Sequence, residues 1–291
     1  MKKIIKLFIL IVTVTMLTGC LKSEELDNAE IFTTVYPIEY LVNELYGYNS
    51  EVKSIYPDGV DVKEYTLSNT KKKKYAKSDL FIYNGLTDEK KVAANFLTHN
   101  SRLKIIDVSE GLAIKYNYEE LWLNPSNFLM LAQNIKNGLN SYIESTIIKE
   151  QIETNYNNLK VQLTEFETTL KLLSQNGTYT TLIVSKDYFK YLENYGFEII
   201  SLEETEDLSN DTINSAKKLI EEGKNKYVFV SSDEAKEAKY SDTIEKLKEA
   251  GAEVLILNTM TTLTSEQRET NDTYENLMKA NIELLKEEIF K

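Results

Sequence analysis

Ile152, Tyr156, Leu159, Leu163, Phe166, Leu170 and Leu173 recur at alternating spacings of four and three residues, and no other feature of the chain constrains its fold as strongly. That seam predicts one amphipathic helix of about 25 residues, on the order of 38 Å long at 1.5 Å per residue. A coiled coil would need a longer pattern and a second copy to pair with, whereas this one fades after about three heptads. A helix of that length can span two domains as a rigid strut.

The flanks supply the two domains. IFTTVYP, starting at Ile31, is a β-branched and aromatic run that predicts a strand bounded by proline. Ile38, Leu41, Val42 and Leu45 follow at helical spacing and end near Gly47. EVKSIYP, DLFIYNG and RLKIIDVS read as three more strands. No strand signal occurs between Pro125 and Gln175. After Asn176-Gly177 the alternation restarts with TYTTLIVS, then a helix carrying Tyr188, Phe189, Tyr191 and Leu192. FEIISL, KYVFVSS and AEVLILN are further strands, and an amphipathic helix over roughly 273–290 ends the chain. Strands alternating with helices predict an α/β protein with mainly parallel sheets. The expected architecture is two βα lobes joined by one long rigid helix, with a ligand cleft between the lobes. Ligands in such lobes bind outside the carboxyl ends of the strands.

The start of the chain predicts an address. Lys2, Lys3 and Lys6 precede an apolar run from Leu7 to Leu17, and Leu17-Thr18-Gly19-Cys20 closes it. Charge, apolar stretch and small residues in that order form a secretory signal, too short to span a bilayer, which takes about 20 residues. Cys20, the only cysteine, stands where a bacterial lipoprotein leader is cut and acylated, so a lipid anchor on the outer face of the cell membrane is expected. The expected division is 1–19 signal peptide, 20–30 polar tether, 31–125 first lobe, 126–176 helical linker with the long helix, and 177–291 second lobe.

Losing the leader removes three lysines and no acids, so 31 basic stand against 46 acidic residues and the formal charge moves from −12 to −15. An acidic chain without a basic stripe argues against nucleic acid as a partner. Lys71 to Lys74 form a basic run that reads as a solvated helix face. No Gly-x-Ser-x-Gly elbow, P-loop, Gly-x-Gly-x-x-Gly turn or histidine for a triad is present, so no enzyme is expected.

Several motifs resemble one family in the correct order. Tyr56-Pro57-Asp58-Gly59-Val60-Asp61-Val62-Lys63-Glu64-Tyr65 resembles the Pro-x-Gly-x-x-x-His-x-Tyr loop of the zinc and manganese solute-binding lipoproteins of ABC importers, the ZnuA, AdcA, PsaA and TroA type. Thr33 to Tyr40, Lys77 to Gly85, Leu121-Trp122-Leu123-Asn124-Pro125, Val184 to Leu192, and Asn258 to Thr264 with Tyr274, Met278 and Asn281 resemble its other segments. The resemblance implies a monomeric receptor that delivers a ligand to an ABC permease, with zinc or manganese as the expected cargo. A surface adhesion or interaction lipoprotein that keeps the fold without transport is the alternative.

The same resemblance implies four metal-ligand positions, and this chain fills them with Lys63, Glu120, Lys186 and Thr261 (Asn258 if the register shifts). Zinc takes deprotonated nitrogen, sulfur or carboxylate donors, and an ammonium has no lone pair to give. Making Lys63 a ligand means lowering its pKa from about 10.4 to neutrality, about 4 to 5 kcal/mol. The family's metal ligands are therefore absent, and no metal site is expected at these positions. His99, the only histidine, matches no ligand position and reads as a surface residue. Three uses of the altered cleft stay open beside a cleft that binds nothing. Lys63, Glu120 and Lys186 form an inter-lobe salt-bridged cluster, or the lysines receive a small anion, or Asp61, Glu64, Asp187 and Asp233 build a relocated oxygen-rich site.

Overall fold

The computed structural model describes residues 26–113, 120–205, 208–237 and 239–291. The expected signal peptide, Cys20 and the first part of the tether lie outside the described residues. No helix among the described residues is long and apolar enough to cross a membrane.

The first lobe alternates β1 (Ala29–Thr33), α1 (Tyr36–Tyr46), β2 (Ser50–Ser54), α2 (Asn69–Tyr75), β3 (Leu80–Tyr83), α3 (Glu89–His99) and β4 (Lys104–Asp107). Its sheet runs β2-β1-β3-β4 with every pair parallel, in the register Ile31 opposite Val52 and Leu80, and Leu80 opposite Lys104. The second lobe repeats the order as β6-β5-β7-β8, again all parallel, from β5 (Thr181–Val184), β6 (Glu198–Ser201), β7 (Tyr227–Ser231) and β8 (Glu253–Leu257). Its helices are α6 (Asn210–Glu221), α7 (Asp242–Glu249), α8 (Ser265–Glu269) and α9 (Tyr274–Ile289). The expected α/β class with two parallel lobes is the observed one.

Between the lobes lie α4 (Pro125–Tyr142) and α5 (Thr146–Asn176). Pro125 at the first turn and the Asn124 side chain, which accepts from Ser126 N–H, start α4. Ser145 caps α5 by accepting from Ile148 N–H. At 31 residues α5 is longer than its apolar seam, on the order of 46 Å. Ile152, Leu159, Leu163, Phe166, Leu170 and Leu173 are buried and Tyr156 half-buried, as the seam predicts. One end of α5 packs on α1 and α4, the other on α9 and the 3₁₀ turns of Asp187–Tyr195. Gly138 lets α4 close on β4: a Cβ there would stand 2.6 Å from the Ile106 side chain.

Two local expectations change. Residues 26–30, placed in the tether, belong to the fold: Leu26 is 0% exposed, its carbonyl accepts from the Tyr46 hydroxyl at 3.0 Å, and β1 begins at Ala29. Pro37 does not bound the strand but sits in the first turn of α1, where its missing N–H costs nothing. The helix expected to carry Tyr188 to Leu192 is present as 3₁₀ turns, ended by Gly196 in the left-handed region at φ 99°. The final helix falls where expected, capped by Thr273 through Asn276 N–H.

Candidate functional site

In each sheet the strand order reverses between the first and third strands, and the crevice beyond their carboxyl ends is where open α/β sheets hold ligands. In the first lobe that crevice follows Thr33 and Tyr83. A cavity of about 570 Å³ opens there, lined by Val35, Tyr56, Asn84 and Glu89 among others, and reached by Trp122 and Thr261. In the second lobe the crevice follows Val184 and Ser231, and a cavity of about 290 Å³ holds Ser185, Lys186, Glu203, Glu204, Glu234 and Glu237.

Lys63, Glu120 and Thr261 line the first cavity together. Lys63 is exposed, in a loop where the Asp61 carboxylate accepts its backbone N–H at 2.8 Å. Glu120 is 6% exposed and adopts the left-handed conformation at φ 45°, a backbone state that costs a non-glycine residue on the order of 1 kcal/mol. Its charge reaches the second lobe: burial first, and then the Glu120 carboxylate, push the Tyr188 phenol up. Thr261 is also 6% exposed, its hydroxyl has no hydrogen-bond partner, and its carbonyl accepts from Tyr36 N–H at 3.1 Å. Asn258 is not part of the lining; its backbone N–H and C=O are both taken by the Asn281 side chain at 2.8 Å.

Lys186 lines the smaller cavity, and its ammonium pairs with Glu234 at 3.3 Å. The four acids of the relocated site are not gathered into a metal-holding group. Asp187 pairs with Lys190 at 2.7 Å, while Asp233 accepts from the Thr259 hydroxyl at 2.9 Å and pairs with Lys236 at 3.3 Å. Among the described residues no group of three or more His, Cys, Asp or Glu is placed to hold a metal ion. His99 is exposed at the end of α3.

Glu89 is the site residue that sequence reasoning missed. It opens α3, lines the first-lobe cavity, and accepts from Asn84 N–H at 2.7 Å. Burial pushes its carboxyl up to about 7, against the hydrogen bonds that favour its charged form, and the Asp107 charge adds to the rise. The available signal was an acid in the first helical turn after the strand at the switch point, where a helix N-terminus favours negative charge. Tyr188 and Tyr191, by contrast, are buried packing residues.

The two lobes meet around the cavity through direct bonds. Trp122 Nε1 donates to the Thr259 carbonyl at 2.7 Å, and the Tyr274 hydroxyl donates to the Trp122 carbonyl at 2.6 Å. Gly59 N–H donates to the Leu263 carbonyl at 2.7 Å and the Thr262 hydroxyl to the Val60 carbonyl at 3.2 Å.

Comparison with known proteins points in one direction. Residues 31–288 match the family model described as ZnuA, zinc-uptake complex component A, periplasmic. The zinc-binding lipoprotein AdcA of Streptococcus pneumoniae is 23% identical over 316 aligned residues, covering 99% of this chain and 61% of that protein. The chain thus spans about three-fifths of the length of the curated relatives it matches. Among solved structures, the metal-dependent lipoprotein YcdH from Bacillus subtilis aligns with a TM-score of 0.74 at 20% identity, over 90% of this chain and 100% of that one. The Zn(II)-bound ZnuA-like domain of S. pneumoniae AdcA gives 0.73 at 20% identity, over 91% and 100%. The laminin-binding protein Lbp of Streptococcus pyogenes gives 0.68 at 18% identity, over 90% and 99%.

Proposed function

The chain belongs to the ZnuA family, a family of solute-binding components rather than enzymes, and from that membership we propose that it is the extracytoplasmic receptor of an ABC importer whose cleft does not take zinc through the family's four ligand positions. The leader and Cys20 support a lipid anchor on the outer face of the membrane, and the relatives named as lipoproteins support it too. The permease is the expected partner at that membrane.

One observation carries the reading of the cleft. Of the four equivalent positions, Lys63, Glu120 and Thr261 share a cavity while Lys186 is paired with Glu234 in another. Two ammonium groups, a hydroxyl and one carboxylate do not fit zinc, which needs a compact set of deprotonated donors. The cavity is also far larger than a bare ion requires and falls within the range of small-molecule sites.

The test is elemental analysis of the chain from residue 21 onward, with thermal-shift titrations against zinc, manganese and calcium, each reversed by EDTA. A ligand at 100 times its Kd stabilises by about 2.7 kcal/mol, which such a titration registers easily. The expected outcome is no copurified zinc and a flat zinc response. Stoichiometric zinc with a large EDTA-reversible shift would overturn the reading. The adhesion alternative has support from the fold shared with a protein named laminin-binding. Retention on immobilised laminin together with a flat response to every solute would favour it.

A further inference from the structure

α8 of the second lobe carries in its last turn an arginine that reaches across to the first. A capping box fixes that helix: Gln267 N–H donates to the Thr264 hydroxyl at 3.1 Å, and Thr264 N–H to the Gln267 side chain at 2.8 Å. From it, the Arg268 guanidinium forks onto two carboxylates of the other lobe. Nη1 and Nη2 donate to the two oxygens of Glu39 at 2.7 and 3.2 Å, and Nε and Nη2 donate to those of Asp58 at 3.1 and 2.9 Å. The Tyr36 ring lies 5.5 Å from the guanidinium carbon. Glu39 sits on α1 with its side chain only 10% exposed, whereas Asp58 lies in the loop after β2 that also carries Lys63.

We propose that Arg268 is the cation that bridges the two lobes of this receptor, a positioning residue that holds the cleft closed without cargo. This rests on the reading that the four family positions take no zinc. The chemistry is that of a cargo cation shared between lobes, with one difference: the charge is tethered to the chain. A planar guanidinium satisfies two carboxylates bidentately at once, which a point-charge ammonium does not. Opening the lobes withdraws the only cation that the fold places on Glu39 among the described residues and leaves that carboxylate largely buried, an unfavourable state. The Gly59–Leu263 and Thr262–Val60 hydrogen bonds lie beside the fork and close the same two loops. Gly59 holds φ 76°, a turn that a side chain would strain. Arg268 therefore fixes where the Asp58-to-Lys63 loop stands over the cavity, and with it the width of the cleft.

The experiment measures the distance between lobes directly. Spin labels are placed at Ala94→Cys on α3 and Ser215→Cys on α6, both exposed, in the mature chain from residue 20 with Cys20→Ser. Pulsed electron resonance then gives the distance distribution. The parent chain should show one narrow distribution, unchanged by zinc sulfate or EDTA. Arg268→Gln should broaden it and move it to longer distance, Glu39→Gln should do the same, and Arg268→Lys should restore it only in part. Asp58→Asn, which breaks one fork, serves if Arg268→Gln does not fold. A narrow distribution retained in Arg268→Gln, or in Asp58→Asn where that variant stands in, overturns the proposal. So does a broad parent distribution that zinc narrows. Stoichiometric zinc in a parent chain that is narrow with or without it sinks the reading of the cleft and leaves the bridge standing.

Discussion

Glu89 carries the clearest titration in the candidate site, because its carboxyl stays protonated up to about 7 in the folded chain against an ordinary 4.5. Between those values the folded state holds a proton that the unfolded state has released. Stability therefore falls as pH rises from about 4.5 to 7 and is level above, a change on the order of 3 kcal/mol. Glu89→Gln keeps an acceptor for Asn84 N–H and cannot ionise. It should flatten that slope and raise the melting temperature above the parent's at pH 8; equal melting curves across the range would show that the carboxyl does not titrate as described. Lys63 and Lys186 teach a second lesson at this scale. That an ammonium does not suit zinc is legible from residue type alone, yet the carboxylate that Lys186 meets, Glu234, is not. A side chain's partner across a cleft depends on which loops the two switch points bring together.

At the scale of elements, α5 concentrates the packing of the molecule. Leu170 is fully buried on its seam, in the same apolar core as α1, α4 and α9 residues. Leu170→Ala should cost 2–5 kcal/mol through lost transfer and a residual cavity, with about that range typical of buried leucines. Urea denaturation followed by far-UV circular dichroism measures it, and a loss under about 1 kcal/mol would mean that the seam can collapse around the gap. The spacing of apolar residues fixed this helix's existence and its buried face because a 3.6-residue period leaves no second way to bury that stripe. Its length was underread: α5 extends beyond the seam to Thr146 and Asn176 on polar residues, whose propensity alone gives no boundary. The 3₁₀ form of Asp187–Tyr195 was likewise hidden, since its aromatic spacing suits either helix.

For the molecule as a whole, one apolar core runs through both lobes. Ile31 and Leu41 of the first, Leu163 of α5, and Leu182, Phe229, Tyr274 and Leu285 of the second belong to a single contiguous cluster. Trp122, the only tryptophan, is buried where the lobes meet and bonded to Thr259 and Tyr274. A shared core couples the lobes, so unfolding should be one transition. Trp122 fluorescence and far-UV circular dichroism should give coincident urea curves; a tryptophan transition well before the loss of helix would mean that the lobes separate first.

The sequence by itself determined the α/β class, the parallel lobes and the long helix, and it put ammonium groups, which are no zinc donors, at Lys63 and Lys186. Each of these follows from local periodicity or from the chemistry of a residue type, and neither needs a partner to be known. Tertiary structure alone decided that Leu26 to Glu30 join the fold, that Lys186 pairs with Glu234, that Glu89 enters the cavity, and that Arg268 spans to Glu39 and Asp58. Those contacts join residues up to 229 positions apart. No spacing rule links such residues, because packing within each lobe, and for Arg268 the closing of one lobe on the other, sets the distance between them.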